Sequence, residues 1–187
     1  MELTIPGPKV TIWDNYVPIK TKKKSKFTDV YLTDSIEGPD AYNELCNLLH
    51  NASKDEVFTL HLNTPGGIID GALAILDAIE HTKAKVIGAV TGTVASAGTI
   101  IALSCHELRV AKYSSFMIHN YSSGMSGKGH EMKAYQTFVD AELNKTFRDI
   151  YKDFLTSTEM DDVIDGKDMW MGRDEVLKRW NTKNKKA

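Results

Sequence analysis

The sequence is poor in the residues that mark disulfide-rich, metal-binding and membrane-embedded proteins. Two cysteines among 187 residues exclude a disulfide framework, and no Cys-x-x-Cys pair or Cys/His cluster predicts a zinc site. No apolar run approaches the roughly 18 residues of a membrane-spanning helix. The N-terminus lacks the basic-then-apolar pattern of a secretory signal. We therefore expect a cytoplasmic protein that has no metal and does not contact a membrane.

An excess of charge of one sign is also lacking. The formal net charge is −2, which gives no general electrostatic reason to bind nucleic acid or a membrane surface. The one basic run, Lys20–Lys26, is typical of a solvated loop or flexible arm, with contact to an acidic partner as the alternative. At 42% hydrophobic residues, the chain is long enough for one sizeable core and short for two.

Short apolar strand-like runs alternate with helix-like runs along the first two thirds of the chain. Such alternation favours an α/β architecture of repeated strand–helix units. The predicted elements are Val30–Leu32, Ala41–His50, Val57–Leu62, Asp70–His81, Val86–Val90, Ala97–Cys105, Leu108–Val110 and Phe116–Ile118.

The stretch Gly129–Thr156 has a different pattern, in which apolar residues recur every three or four positions. They are Met132, Tyr135, Val139, Leu143, Phe147, Ile150 and Phe154. This spacing predicts one amphipathic helix with a single apolar stripe. At 1.5 Å per residue it would be about 40 Å long. The ordinary interpretation is a helix packed on its own core.

Ser96 lies in the small-residue run Gly92–Gly98, between a strand-like stretch and a helix-like one. A serine at such a junction can expose its Oγ, and the N–H groups of the following helix favour developing negative charge. The alternative is an ordinary tight turn. Upstream, Gly66 and Gly67 follow another predicted strand. The amides of Gly67 and Ala97 would together form a two-donor oxyanion hole, although Pro-Gly-Gly alone usually marks a turn.

His119 ends the apolar strand Phe116–Ile118, where its ring can point into a cleft as a general base for Ser96. The other histidines, at positions 50, 61, 81, 106 and 130, have no comparable setting and are interpreted as structural or surface residues. An acidic residue would orient the base. The residue patterns leave this choice open among Asp161, Asp162, Asp165 and Asp168.

Four motifs, in this order and near this spacing, resemble those of the proteolytic subunit of the Clp protease (ClpP). The resemblance runs from about Val30 to Val176. The motifs are Asn63-Thr64-Pro65-Gly66-Gly67, Gly92-x-x-Ala95-Ser96-Ala97-Gly98, Met117-Ile118-His119 and Asp168-x-Trp170-Met171.

The resemblance implies a crotonase/ClpP-like fold and a serine endopeptidase that needs no cofactor. Ser96 would be the nucleophile, His119 the general base and then acid, and Asp168 its orienting partner. The amides of Gly67 and Ala97 would form the oxyanion hole. Where the family usually has methionine after the serine, Ala97 keeps the amide and is expected to make the pocket rim less bulky.

The resemblance also implies an assembly. The helix predicted over Gly129–Thr156 corresponds to the family's handle, which interleaves two seven-membered rings, and Ser122–Gly129 to the strand and hinge before it. We therefore expect a homo-oligomer of heptameric rings, paired into a tetradecamer, with active sites facing an inner chamber. The substrates would be peptides or unfolded proteins. Residues 30–180 would form the peptidase domain, including the handle region 122–156.

Several departures indicate a divergent member, such as a phage-encoded one. Residues 1–29 form a divergent basic segment, and residues 181–187 a Lys-rich tail in place of the family's final strand. Thr59 and His61 replace tyrosines that line the docking pocket for the Clp ATPase, so that partner is not implied. Lys167 replaces an arginine that couples the two rings.

Two alternatives to an active peptidase remain. One is a non-catalytic scaffold or ring subunit on the same fold, partnering an active paralogue. The other is an acyl-CoA hydratase-like enzyme on the related fold, which is disfavoured because no glutamate lies near the Gly-Gly or serine motif.

Overall fold

The computed structural model describes residues 22–24 and 26–186. Residues 1–21 of the divergent N-terminal segment, which include Lys20 and Thr21 of the basic run, lie outside the described residues, as do Ser25 and Ala187. The described strands form one seven-stranded sheet. They are β1 (Lys22–Lys24), β2 (Phe27–Leu32), β3 (Val57–Thr64), β4 (Lys85–Ala95), β5 (Glu107–Val110), β6 (Ser115–Ile118) and β7 (Met169–Gly172).

The strand order of the sheet is β1-β2-β3-β4-β6-β7. Strand β5 lies outside this order and pairs with β4. Strands β2, β3 and β4 are parallel to one another. The long strand β4 is parallel first to β5, with Val90 opposite Val110, and then to β6, with Ala95 opposite Met117. The first part of β4 therefore pairs with β5, and its last residues extend beyond β5 and pair with β6.

Helices follow most of the strands, as the alternating pattern predicts, although β1 and β5 each lead to another strand. The α/β fold class is confirmed. After a short 3-10 helix (Pro39–Tyr42), the described helices are α1 (Asn43–His50), α2 (Ile69–His81), α3 (Ala97–Ser104), α4 (Gly129–Ile150), α5 (Ser157–Ile164) and α6 (Arg173–Lys186). None of these described helices is both long and apolar enough to span a membrane.

The core packs the sheet against α1, α2 and α3, and the same cluster includes buried residues of α5 and α6. Along β3, Phe58, Leu60 and Leu62 are buried in one cluster with Ile75 and Ile79 of α2. The intervening residues, such as Thr59 and His61, are only half-buried because successive side chains of a strand point to opposite faces. Along β3, one sheet face is therefore packed against helices, while the other is only partly covered in the single chain.

Part of the predicted basic loop is a strand. Lys22–Lys24 pairs antiparallel with the start of β2, with Lys24 opposite Phe27. Pairing satisfies the backbone groups on one side of β1, and lysine is common on edge strands because its charge opposes further pairing. The interpretation of Lys20–Lys26 as a loop or arm is therefore wrong for Lys22–Lys24.

The long amphipathic helix ends earlier than the sequence predicts. Helix α4 ends at Ile150 and is about 33 Å long at 1.5 Å per residue. Asp153 in the following turn has a positive φ of 62°. A capping box at Thr156 and Glu159 then starts α5, so the predicted extension to Thr156 is wrong. The predicted strand within Ser122–Gly129 is also wrong, because residues 122–128 form no strand in the described chain.

Only the C-terminal part of α4 packs firmly on the rest of the molecule. Phe147 is buried, whereas Tyr135 and Phe138 are 59% and 64% exposed. At the other end of the chain, α6 includes most of the predicted Lys-rich tail, because it runs to Lys186. Helix α4 therefore projects from the fold with part of its apolar surface uncovered.

Candidate active site

Ser96 occupies the junction between β4 and α3 and has an unusual backbone conformation. Its φ of 52° and ψ of −127° are rare for a residue with a side chain. Its N–H donates to the Met117 carbonyl of β6 over 2.8 Å, and its own carbonyl accepts from the Thr99 N–H, also over 2.8 Å. These bonds hold a strained turn with a half-buried serine side chain.

Gly66 lies directly against Ser96, and only glycine fits there. Its φ is +94°, and a Cβ atom at this position would lie 2.6 Å from the Ser96 Cβ and 3.0 Å from the Ala97 nitrogen. The Gly66 N–H donates to the Thr64 hydroxyl over 3.1 Å. The loop after β3 is therefore packed closely onto the serine turn.

The two predicted oxyanion donors belong to these two adjoining turns. The Gly67 segment is fixed by Ile36, whose N–H donates to the Gly66 carbonyl over 2.8 Å and whose carbonyl accepts from the Ile68 N–H over 2.7 Å. Ala97 is the first residue of α3, where N–H groups have no partner inside the helix. Its methyl group is buried, with 1% exposure, and the expectation that alanine makes the pocket rim less bulky stays a prediction.

The strand register brings His119 and Asp168 together. Ile118 of β6 pairs with Met169 of the antiparallel strand β7, so the next residues along are His119 and Asp168. The His119 Nδ1 lies 3.9 Å from an Asp168 carboxylate oxygen. That separation allows charge attraction but exceeds hydrogen-bond distance. Asp168 is 55% exposed in its side chain and His119 29%.

The hydrogen bonds of the described residues do not include one between Ser96 and His119. Their elements are nevertheless adjacent, because the Ser96 N–H is bonded to the strand that ends just before His119. The single chain therefore places the candidate nucleophile, base and acid at one edge of the sheet. Their side chains do not form a hydrogen-bonded relay in this arrangement.

The other aspartates considered from the sequence have different partners. Asp161 accepts from Arg148 over 2.6 Å, and Asp162 accepts from Lys167 over 2.8 Å. The Asp162 carboxylate raises the pKa of Lys167. Asp165 caps the end of α5. Of the four aspartates, Asp168 has the position that faces His119.

The remaining histidines and cysteines have local structural roles or are exposed. His106 accepts the Val86 N–H through Nδ1 over 2.9 Å, while His61 stacks on Tyr31 with ring centroids 4.4 Å apart. Cys105 is buried, and burial raises the pKa of its thiol to about 12. Within residues 22–24 and 26–186, no group of three or more His, Cys, Asp or Glu residues is arranged to hold a metal.

Two hydroxyl groups near the serine are not predicted by the sequence. The Thr99 hydroxyl donates to the Ser96 carbonyl over 2.7 Å and lies 2.8 Å from the Tyr151 hydroxyl. Tyr151 is 52 residues further along the chain than Thr99, so no local spacing or short motif connects them. Thr99 alone carries a signal, since it lies one turn after Ser96 in the predicted helix.

Comparisons with known proteins match most of the chain. A family model described as Clp protease matches residues 22–182, a range that begins within the segment 1–29 considered divergent. Three similar curated proteins, all named ATP-dependent Clp protease proteolytic subunit, come from Streptococcus gordonii, Streptococcus suis and Streptococcus pyogenes. They are 31%, 29% and 28% identical over 157, 165 and 165 residues, and each match covers 79% of both chains.

Proposed function

We propose that this chain, which belongs to the Clp protease family, is a serine endopeptidase that cleaves peptides or unfolded proteins. The observation that carries the proposal is the convergence of two turns and two strand ends. The Ser96 turn contacts Gly66, and its N–H is bonded to β6. His119 and Asp168 extend the register of β6 and β7. This arrangement has the parts that acyl transfer requires.

In the proposed mechanism, Ser96 Oγ attacks the scissile carbonyl while His119 accepts the serine proton. Because Nδ1 is the ring nitrogen that faces Asp168, Nε2 is the nitrogen available to Ser96. Asp168 stabilises the imidazolium and fixes its tautomer. His119 then passes the proton to the leaving amine, and water hydrolyses the acyl-enzyme by the same route in reverse.

The oxyanion of the tetrahedral intermediate would be held by the N–H groups of Gly67 and Ala97. Both groups are fixed before substrate arrives, one by the Ile36 bonds and the other by the start of α3. Preorganised donors of this kind stabilise developing charge without further rearrangement, and each typically contributes about 2.7–4 kcal/mol.

We further propose that the hydrogen-bond relay between Ser96, His119 and Asp168 forms when copies of the chain assemble. The 3.9 Å gap between His119 and Asp168 and the 55% exposure of the Asp168 side chain describe a single chain. The exposed Tyr135 and Phe138 on α4 favour burial of this helix against a second copy. Paired heptameric rings enclosing a chamber would restrict the substrate to extended chains.

We propose that the surface around Thr59 and His61 is not an ATPase-docking pocket of the ordinary kind. His61 is engaged by Tyr31, which stacks on it, and by Asp29, whose carboxylate lies 2.9 Å from Nε2. The relatives are named ATP-dependent, but we propose that this chain works without an ATPase partner and acts only on peptides and unfolded proteins. ATP-stimulated degradation of a folded protein together with a Clp ATPase would contradict this part of the proposal.

The second candidate function is a non-catalytic ring subunit that partners an active paralogue. The open His119–Asp168 separation is the observation that favours it. An active peptidase should close this gap in the assembled particle, whereas a scaffold has no need to do so.

The test is hydrolysis of a fluorogenic peptide by the assembled protein and by three variants. Ser96→Ala and His119→Ala should each lower kcat by about 10³-fold or more, and Asp168→Asn by about 10²- to 10⁴-fold. His130→Ala is the matched control, because His130 is exposed at the start of α4. Equal residual rates in all five proteins would identify a contaminant and support the scaffold function.

A further inference from the structure

The hydroxyl groups of Thr99 and Tyr151 link the turn that carries Ser96 to the C-terminal end of α4. The Thr99 hydroxyl donates to the Ser96 carbonyl over 2.7 Å, and the Tyr151 hydroxyl lies 2.8 Å from the same Thr99 oxygen. Tyr151 is 2% exposed, and its ring packs edge-on against Phe147. Neither hydroxyl has a place in the proton relay of Ser96, His119 and Asp168.

The direction of this hydrogen-bond chain follows from counting protons. A threonine hydroxyl has one proton, and that of Thr99 is used on the Ser96 carbonyl. Tyr151 must therefore donate to the Thr99 oxygen. Burial raises the pKa of Tyr151 to about 12, so the phenol keeps its proton at neutral pH. Each bond in such a chain polarises and strengthens the next.

The Ser96 carbonyl belongs to the same rigid unit as the Ala97 N–H. A peptide bond is planar and trans, so its C=O and N–H groups point in opposite directions. The carbonyl end of this unit accepts from both the amide and the hydroxyl of Thr99. Holding that end on the interior side directs the Ala97 N–H away from it, toward the turn at Gly66, where an added Cβ would lie 3.0 Å from the Ala97 nitrogen.

We propose that Thr99 and Tyr151 are positioning residues that aim the Ala97 N–H at the oxyanion. The inference rests on the proposed serine peptidase function. Tyr151 acts through Thr99, and Thr99 acts through the Ser96–Ala97 peptide plane. A shift of about 1 Å in a preorganised donor lowers catalysis by up to 10²-fold, so loss of these hydroxyls should affect the chemical step and leave peptide binding largely unchanged.

The experiment compares Thr99→Val, Thr99→Ser, Tyr151→Phe and the double variant Thr99→Val/Tyr151→Phe in the assembled protein. Peptide hydrolysis is normalised to the amount of Ser96 that reacts with a fluorophosphonate. We expect kcat to fall about 10- to 100-fold in Thr99→Val and about 3- to 10-fold in Tyr151→Phe, with KM within about twofold of wild type. Thr99→Ser keeps the hydroxyl and should recover most of the rate.

Coupling between the two sites is a second expected result. Tyr151→Phe should cause little further loss once Thr99 is valine, because the residues act in series. Ile79→Val controls for stability, since Ile79 is fully buried in α2 away from the serine turn. It should lower the melting temperature without changing kcat. If Tyr151→Phe does not fold, the comparison of kcat between Thr99→Val and Thr99→Ser still tests the positioning role.

The outcomes separate this inference from the function on which it rests. Rates per labelled Ser96 within twofold of wild type in both Thr99→Val and Tyr151→Phe would overturn the positioning role while leaving the peptidase intact. A wild-type protein that neither hydrolyses peptide nor reacts at Ser96 would overturn the proposed function and the positioning role together.

Discussion

At the scale of single residues, the candidate site depends on two positive-φ positions in contact. Ser96 adopts φ 52° and Gly66 φ +94°, and the two backbones touch. Glycine tolerates such a conformation without strain, whereas serine adopts it only because the surrounding bonds hold it there. The close approach leaves the Ser96 side chain half-buried.

Gly66→Ala should therefore reduce both activity and stability. The added methyl group would lie 2.6 Å from the Ser96 Cβ and 2.7 Å from the Ala95 carbonyl oxygen, which forces the two turns apart. We expect a loss of about 1–3 kcal/mol in the free energy of unfolding, measured by denaturant titration, and a fall in kcat of at least about tenfold. Gly124→Ala is the control, because nothing lies within 4 Å of its Cβ position. A fully active Gly66→Ala protein would contradict the contact.

One partly buried ion pair should make stability depend on pH. Arg179 donates to both carboxylate oxygens of Glu159 over 2.8 Å, and this bonding lowers the pKa of Glu159 to about 2. A lowered carboxyl pKa stabilises the fold above the unfolded value of 4.5, and that contribution is lost as the pH falls toward 2.

Glu159→Gln should accordingly destabilise the protein by about 2 kcal/mol at pH 7. Glutamine keeps an oxygen for the capping box with Thr156, so the change removes mainly the charge. Thermal unfolding at a series of pH values should show that the stability difference between wild type and Glu159→Gln decreases between pH 4.5 and 2. A stability difference that stays constant across this range would show that it does not come from the ion pair.

At the scale of elements, α4 is attached to the molecule at two points. Its end is held by buried Phe147 and Tyr151. Nearer its start, Asp140 accepts a hydrogen bond from the Tyr121 hydroxyl, and Gln136 donates to the same hydroxyl over 2.5 Å. The Asp140 bond raises the pKa of Tyr121. Because Tyr121 lies two residues after His119, this contact connects the helix to the strand end that carries the base.

Tyr121→Phe should loosen this connection without unfolding the protein. Losing hydrogen bonds worth about 1 kcal/mol would increase local opening about fivefold. We expect faster proteolysis and hydrogen exchange within residues 122–128, with an almost unchanged melting temperature. Asp149→Asn, an exposed change on the same helix, should leave both unaltered. Identical protection in the Tyr121→Phe protein and wild type would mean that the contact does not anchor the segment.

The sequence predicts the parallel strands and the helices between them because their apolar periodicity is strong. It predicts the extent of α4 less well, since Phe154 continues the periodic stripe although the chain turns at Asp153. The capping box at Thr156 and Glu159 is the local signal for that break. Contacts between distant residues leave no local pattern. The Thr99–Tyr151 bond, across 52 residues, therefore required the structure.

At the scale of the whole molecule, the single chain leaves aromatic surface on α4 that a stable protein normally covers. Tyr135 and Phe138 lie one helical turn apart and are more than half exposed. The proposed ring assembly would bury them, and in that proposal assembly also closes the gap between His119 and Asp168.

Phe138→Glu should weaken assembly and lower peptidase activity together. A carboxylate buried in an apolar interface is strongly unfavourable, so we expect smaller particles by sedimentation velocity and a matching loss of activity at micromolar protein. Lys133→Glu is the control, because Lys133 is an exposed polar residue on a different side of α4. Full assembly of the Phe138→Glu protein would remove α4 from the interface.

The assignment of Ser96 as the nucleophile is tested by reaction of the assembled protein with a fluorophosphonate, followed by intact mass measurement of wild type and Ser96→Ala. We expect one adduct per wild-type chain and none in the variant, because only a serine activated by His119 reacts readily. An assembled wild-type particle that forms no adduct, or an adduct that persists in Ser96→Ala, would contradict the assignment of Ser96 as the nucleophile.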